Sequence, residues 1–314
     1  MIRWLRLLMA GLLLLPPGVG GGAEPPSVVA SIAPVHALVA RVMAGAGVPR
    51  LLVPPAASPH SYALRPSDAR ALAEAALVVW VGPGLERRLA RAIESLATGE
   101  ELRLAEAPGL VRLPMRNGGH GGMDGARRGH AEVEEASARH GHGGRDDPHY
   151  WLDPVNARLW LGLIAEALGR VDPARAPLYE ANAAKANRNI RALEKEIAAR
   201  LAPLGGRPFV VLHDAYRYFE HRFGLEALAA VIPADDRPPG PARVAEVRRM
   251  MVERQVRCLL RVPGEGAALA SRRAEAAGAR VVVLDPIGRG ITPGPGLYPR
   301  LLRALAEGFA ACLG

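Results

Sequence analysis

Residues 174–201 read ARAPLYEANAAKANRNIRALEKEIAARL. No glycine interrupts the run. Its one proline, Pro177, falls in the first turn, where a helix tolerates a missing backbone N–H. Ile190, Leu193, Ile197 and Leu201 recur at the spacing that gathers side chains on one helical face. About 28 residues at roughly 1.5 Å each span on the order of 40 Å. Such a helix is long for a packed element and suited to bridging two domains. Pro203-Leu204-Gly205-Gly206 ends it.

On either side of this helix the pattern is the same. Upstream, short β-branched runs predict strands over 27–32, 50–53 and 77–81, with a further short strand over 102–104. Helices are expected from Pro34 to about Ala44, over 68–76 with Ser67 as N-cap, after Gly82 to about Leu96, and from Pro154 to about Gly169. Downstream, strands are expected over 209–212, 229–232, 258–261 and 280–284, with helices over 215–223, 242–253, 267–277 and 299–312. Strand–helix alternation of this kind builds parallel sheets. The expected fold is α/β: two four-stranded parallel-sheet domains joined by a single long rigid helix. The expected divisions are a leader over 1–23, an N-terminal domain over 24–172, the linking helix over 173–203 and a C-terminal domain over 204–314.

The leader is read from MIRWLRLLMAGLLLLPPGVGGGA, which has Arg3 and Arg6 ahead of an apolar stretch and small residues at its end. It is too short to span a membrane. It predicts export, and no cysteine lies near the cleavage site to carry a lipid. Cys258 and Cys312 are the only cysteines. In an exported chain a pair reads either as a disulfide or as two buried thiols, and the expectation is the disulfide. The formal charge is +9, almost all from arginines scattered along the chain. With no basic stripe and no accompanying motif, nucleic acid is not an expected partner.

Five of the nine histidines, His120, His130, His140, His142 and His149, fall between Asn117 and Asp153. Glycine and acidic residues fill most of the remainder, so residues 117–148 are expected to form a mobile, solvated loop. His-rich tracts read as metal-binding on composition alone. Beyond them, His60 follows the 50–53 strand, while His213 and Asp285 directly follow FVVL and VVVL. Parallel sheets bind ligands beyond the carboxyl ends of their strands. His149 lies where the loop rejoins the fold. Three imidazoles with one further position make a common zinc set. His36, inside a predicted helix, reads as a packed or capping histidine.

Four motifs sharpen this. They are Ser58-Pro59-His60-Ser61-Tyr62, His149-Tyr150-Trp151-Leu152-Asp153-Pro154, Phe209-Val210-Val211-Leu212-His213-Asp214-Ala215-Tyr216 and Leu284-Asp285-Pro286-Ile287-Gly288. Over roughly residues 27–314 the chain resembles the periplasmic zinc-binding proteins of ABC importers, the metal-binding cluster of solute-binding proteins. The resemblance implies two α/β domains on a long helix, Zn(II) held by His60, His149 and His213, and a Cys258–Cys312 disulfide. It also implies an ABC importer membrane permease as partner and a soluble, monomeric binding protein that is not an enzyme. Water, Asp285 or a histidine of the loop could supply the fourth ligand. His120, His130, His140 and His142 would then be accessory sites. The chain departs from the family at Val262, which precedes Pro263 where zinc members often carry an acidic residue, with Glu265 close by. Manganese relatives place a carboxylate ligand in that region, so its absence favours zinc. The competing readings are a manganese- or iron-binding protein of the same cluster, a secreted zinc hydrolase, and an adhesin-like surface role. Zinc binding through imidazoles is expected to weaken below about pH 6 as histidine protonates.

Overall fold

The computed structural model describes residues 24–116, 146–264 and 278–314. The leader, the accessory histidines His120, His130, His140 and His142, the helix expected over 267–277, and Glu265 lie outside the described residues.

The first half runs β1 (Val28–Ala30), α1 (Ala33–Val42), β2 (Arg50–Leu51), α2 (Pro66–Ala73), β3 (Leu77–Trp80), α3 (Arg87–Leu96) and β4 (Glu100–Arg103). Then come α4 (Pro154–Val171) and the long α5 (Ala176–Leu201). The second half holds β5 (Val210–His213), α6 (Arg217–Phe223), β6 (Ala229–Ile232), α7 (Pro241–Glu253), β7 (Cys258–Arg261), β8 (Arg280–Val283) and α8 (Leu297–Leu313). Two four-stranded sheets result, ordered β2-β1-β3-β4 and β6-β5-β7-β8. Every pairing is parallel. Leu77, Val78, Val79 and Trp80 of β3 are all buried, as expected of a parallel strand covered on both faces.

Local rules moved some boundaries. Ser67 does not cap α2. The helix begins two residues earlier than expected, at Pro66, whose ring presets a helical φ and which has no N–H to satisfy. The side chain that serves this end is Asp68, whose Oδ2 accepts the Arg65 backbone N–H at 3.1 Å. The strand expected over 102–104 lies earlier, because β4 pairs from Glu100 opposite Leu77 and the chain turns into a 3-10 helix at Leu104. The long helix starts at Ala176, after a 3-10 turn over Pro173–Arg175.

That long helix is a spine more than a free bridge. Tyr179, Ala183, Ala186, Ile190, Leu193, Ile197 and Leu201 form its buried stripe. It packs on α1 and α4 from the first half and on α8 from the second. One apolar core is therefore continuous across both halves, and a smaller one lies around Val210, Val247 and Leu259. Burying each large aliphatic side chain contributes about 1.5–3 kcal/mol. The Cys258–Cys312 disulfide is formed, with Cα atoms 5.4 Å apart, and fastens α8 to the start of β7. No described helix is long and apolar enough to cross a membrane.

Polar contacts also tie the halves together. Trp151 Nε1 donates to Pro286 O at 2.7 Å, and the Tyr298 hydroxyl donates to Trp151 O at 2.7 Å. Arg222 grips both oxygens of Asp153 at 2.9 and 2.8 Å. Asp153 thereby serves twice, since its Oδ1 also caps α4 through Val155 N at 2.8 Å. All three links converge on the segment that carries His149.

Candidate metal centre

His60, His149 and His213 meet where the carboxyl edges of the two sheets face each other. His213 is the last residue of β5, a central strand flanked by β6 and β7, and it pairs with Ile232 of β6 while Val210 and Val211 pair with β7. His60 sits in a turn closed by Ser61 N to Ser58 O at 3.3 Å, beyond β2 and beside Pro59. His149 precedes the 3-10 turn Tyr150–Leu152, which Leu152 N closes onto His149 O at 3.1 Å.

The three ring centroids stand 5.5 Å (His60–His149), 5.7 Å (His60–His213) and 5.4 Å (His149–His213) apart. One ligand-capable atom from each lies within 4.8 Å of the others, the single such group among the described residues. Donors at tetrahedral zinc lie about 3.3 Å apart for bonds of roughly 2.0 Å, so three donors within 4.8 Å of one another can converge on one ion with a small adjustment. His149 and His213 are buried, and His60 is half-buried.

Burial and mutual repulsion set the charge state. Desolvation, then the neighbouring His149 and Arg87, push His60 down to about 3. Desolvation, then His149 and His60, hold His213 well below the usual imidazole range. Both rings are therefore neutral at physiological pH and present lone pairs, as metal ligation demands. Burial therefore leaves protons less able to compete with a metal at these two rings than at ordinary imidazoles.

Asp147 Oδ1 lies 2.8 Å from His149 Nδ1 and accepts the His149 backbone N–H at 2.9 Å. A carboxylate on Nδ1 leaves Nε2 as the free lone pair, the arrangement that orients metal-bound histidines. Asp236 Oδ1 lies 4.0 Å from His213 Nδ1 and lines the same cavity. Neither aspartate was singled out from sequence. Asp147 is two residues before His149, close enough for its side chain to reach the ring. Asp236 lies just past β6, at the same carboxyl edge that pointed to His213.

Asp285 is not brought into the cluster. Its Oδ1 accepts Ile287 N at 3.1 Å and its Oδ2 accepts Arg289 N, so its carboxylate closes the turn after β8. Its neighbours Pro286, Ile287 and Arg289 line the cavity instead. Val262 contributes an apolar wall. His36 is buried far back, with Nε2 3.0 Å from Pro49 O, the packed role expected of it.

A family model described as "Zinc-uptake complex component A periplasmic" matches residues 28–312. The chain is 38% identical over 308 residues to the high-affinity zinc uptake system protein ZnuA of Brucella abortus (strain 2308), covering 92% of each. It is 42% identical over 303 residues to the protein of the same description from Paracoccus denitrificans (strain Pd 1222), covering 93% of each. A solved structure described as "Crystal structure of ZnuA" superposes with a TM-score of 0.75 at 22% identity, covering 93% of this chain and 100% of that one.

Proposed function

Because the chain belongs to the family of periplasmic zinc-uptake components, we propose that it takes up Zn(II) on His60, His149 and His213. It would then present the ion to the membrane permease of an ABC-type importer. Zinc binding for import is the function of the family, and the three ligands are what is proposed for this chain. The observation that carries it is the convergence of three imidazoles, from three separate segments, at the facing edges of the two sheets. Neutral nitrogen donors suit zinc, whereas manganese favours carboxylate, carbonyl and water. Asp236 is the one carboxylate among the described residues lining the cavity. One chain supplies all three imidazoles, so a second copy is not needed to complete the site.

Zinc is cargo in this reading, and the site must both hold it and release it. The contacts of Trp151, Asp153 and Tyr298 between the halves resist a wide hinge. Loading is therefore a local adjustment of the loops that carry His60 and His149 against His213 at the end of β5. Release would follow from the permease drawing those loops apart. The location is extracytoplasmic, in keeping with the periplasmic description of the family.

Calorimetric titration with zinc, and competition with manganese, tests the reading. The full chain should bind one zinc ion tightly and prefer it over manganese. His213→Ala should lose that tight site. Equal affinity for manganese, or an undiminished tight site in His213→Ala, would sink the assignment.

A further inference from the structure

His213 Nδ1 is buried and has no hydrogen-bond partner, although the residue is only 4% exposed. A buried ring nitrogen without a partner is uncommon and calls for an explanation. The nearest acid is Asp236, whose Oδ1 stands 4.0 Å away. That gap is about 1 Å too long for a hydrogen bond.

Asp236 is placed with care. Its φ is 61°, in the left-handed region that aspartate and asparagine tolerate better than most side chains. Its backbone N–H closes a turn onto Pro233 O at 3.0 Å. The neighbouring Asp235 faces Arg87 at 3.4 Å and Arg237 at 2.8 Å. Among the described residues no arginine or lysine lies within ion-pair distance of Asp236, so its carboxylate is left toward the histidines.

We propose that on zinc loading Asp236 closes on His213 and accepts its Nδ1–H, as Asp147 does for His149, making Asp236 a positioning residue that aims Nε2 of His213 at the ion. This rests on the reading of His213 as a zinc ligand. Direct ligation by Asp236 is the competing arrangement, but it would leave the buried Nδ1 orphaned in the loaded state as well. The paired arrangement satisfies that nitrogen through an approach of about 1 Å by the Asp236 carboxylate. Both buried histidines would then carry a carboxylate behind the ring.

The test uses the full chain with Asp236→Gly and Asp236→Asn. Glycine fits the positive φ without strain, and asparagine keeps an acceptor oxygen while losing the charge. Zinc affinity is measured by chelator competition, and imidazole N–H protons of the zinc-loaded protein are observed by NMR. The loaded parent should show a downfield, slowly exchanging Nδ1–H from His213. Asp236→Gly should lose that signal and about 10–100-fold in affinity, with the metal-free melting temperature unchanged. Asp236→Asn should keep the signal and stay within a few-fold of the parent. An Asp236→Gly protein that binds zinc as tightly as the parent overturns the proposal. So does an Asp236→Asn protein that falls as far as Asp236→Gly, since the carboxylate would then act as ligand or charge. His213→Ala separates the two levels: if it binds as the parent does, the ligand assignment fails, whereas a defect there with a silent Asp236→Gly removes only this proposal.

Discussion

Asp147 Oδ1 holds His149 twice, 2.8 Å from the ring Nδ1 and 2.9 Å from the backbone N–H. One buried carboxylate oxygen thus fixes both the direction of the ring and the chain that carries it. Replacing Asp147 with alanine removes both contacts. Zinc affinity should fall about 10–100-fold, the usual cost of losing the residue behind a metal-bound histidine. The metal-free fold should lose about 1–3 kcal/mol, because the His149 N–H is left buried without an acceptor. Chelator competition and denaturant unfolding measure the two losses separately.

The depressed pKa values make a prediction about protons. His60 is held down to about 3 and His213 well below the ordinary value, chiefly by burial. A group with a lowered pKa is already neutral above that pKa, so zinc has no proton to displace from it. Between about pH 5 and pH 6, zinc uptake should therefore release at most one proton per ion, where three unshifted imidazoles would release more. Titration calorimetry in buffers of differing ionisation enthalpy counts them. Release of two or more would show that the buried rings are not neutral in the free protein.

Removal of residues 118–144 takes out His120, His130, His140 and His142. The chain on either side of this stretch comes together, since Pro114 bridges Asp146 in antiparallel fashion. The shortened protein should keep one tight zinc site and lose only weak ones. Loss of the tight site in zinc titration would mean that the three histidines assigned here are not sufficient.

Trp151→Phe keeps a buried aromatic but deletes the N–H that Pro286 O accepts at 2.7 Å. The abandoned carbonyl should cost about 1–3 kcal/mol. Pro286 also lines the metal cavity, so zinc affinity should fall in parallel. A thermal melt with and without zinc reads both. An unchanged melt would mean that water reaches the carbonyl and that this contact does not tie the halves.

The alternation of strands and helices, the long α5 and the family were legible because each rests on local patterning. Apolar runs of four residues, a stripe at helical spacing and punctuating glycines and prolines do not need distant contacts to be read. Strand edges shifted by one or two residues where pairing register took over, as at β4. Ser67 is not the cap, because the preset φ of Pro66 starts the helix two residues sooner.

The site divided differently. His60, His149 and His213 were each visible as a polar residue at a strand end or loop exit. Their meeting within 4.8 Å depends on how two sheets face each other across α4, α5 and α8, which no local pattern encodes. Asp285 shows the converse. Its place after a strand made it a plausible ligand, but two backbone N–H groups of its own turn claim the carboxylate first. Asp147 and Asp236 looked like ordinary loop acids. Asp147 gained its role only when folding buried the His149 ring beside it, because a buried donor must find an acceptor at hydrogen-bond distance, and the role proposed for Asp236 rests on the same burial of His213. The amino-acid sequence by itself determined the two α/β halves, the spine between them and the histidines available to a metal. The tertiary structure decided which carboxylates stand behind those histidines and which do not, since that choice is set by desolvation and by distances across the interface.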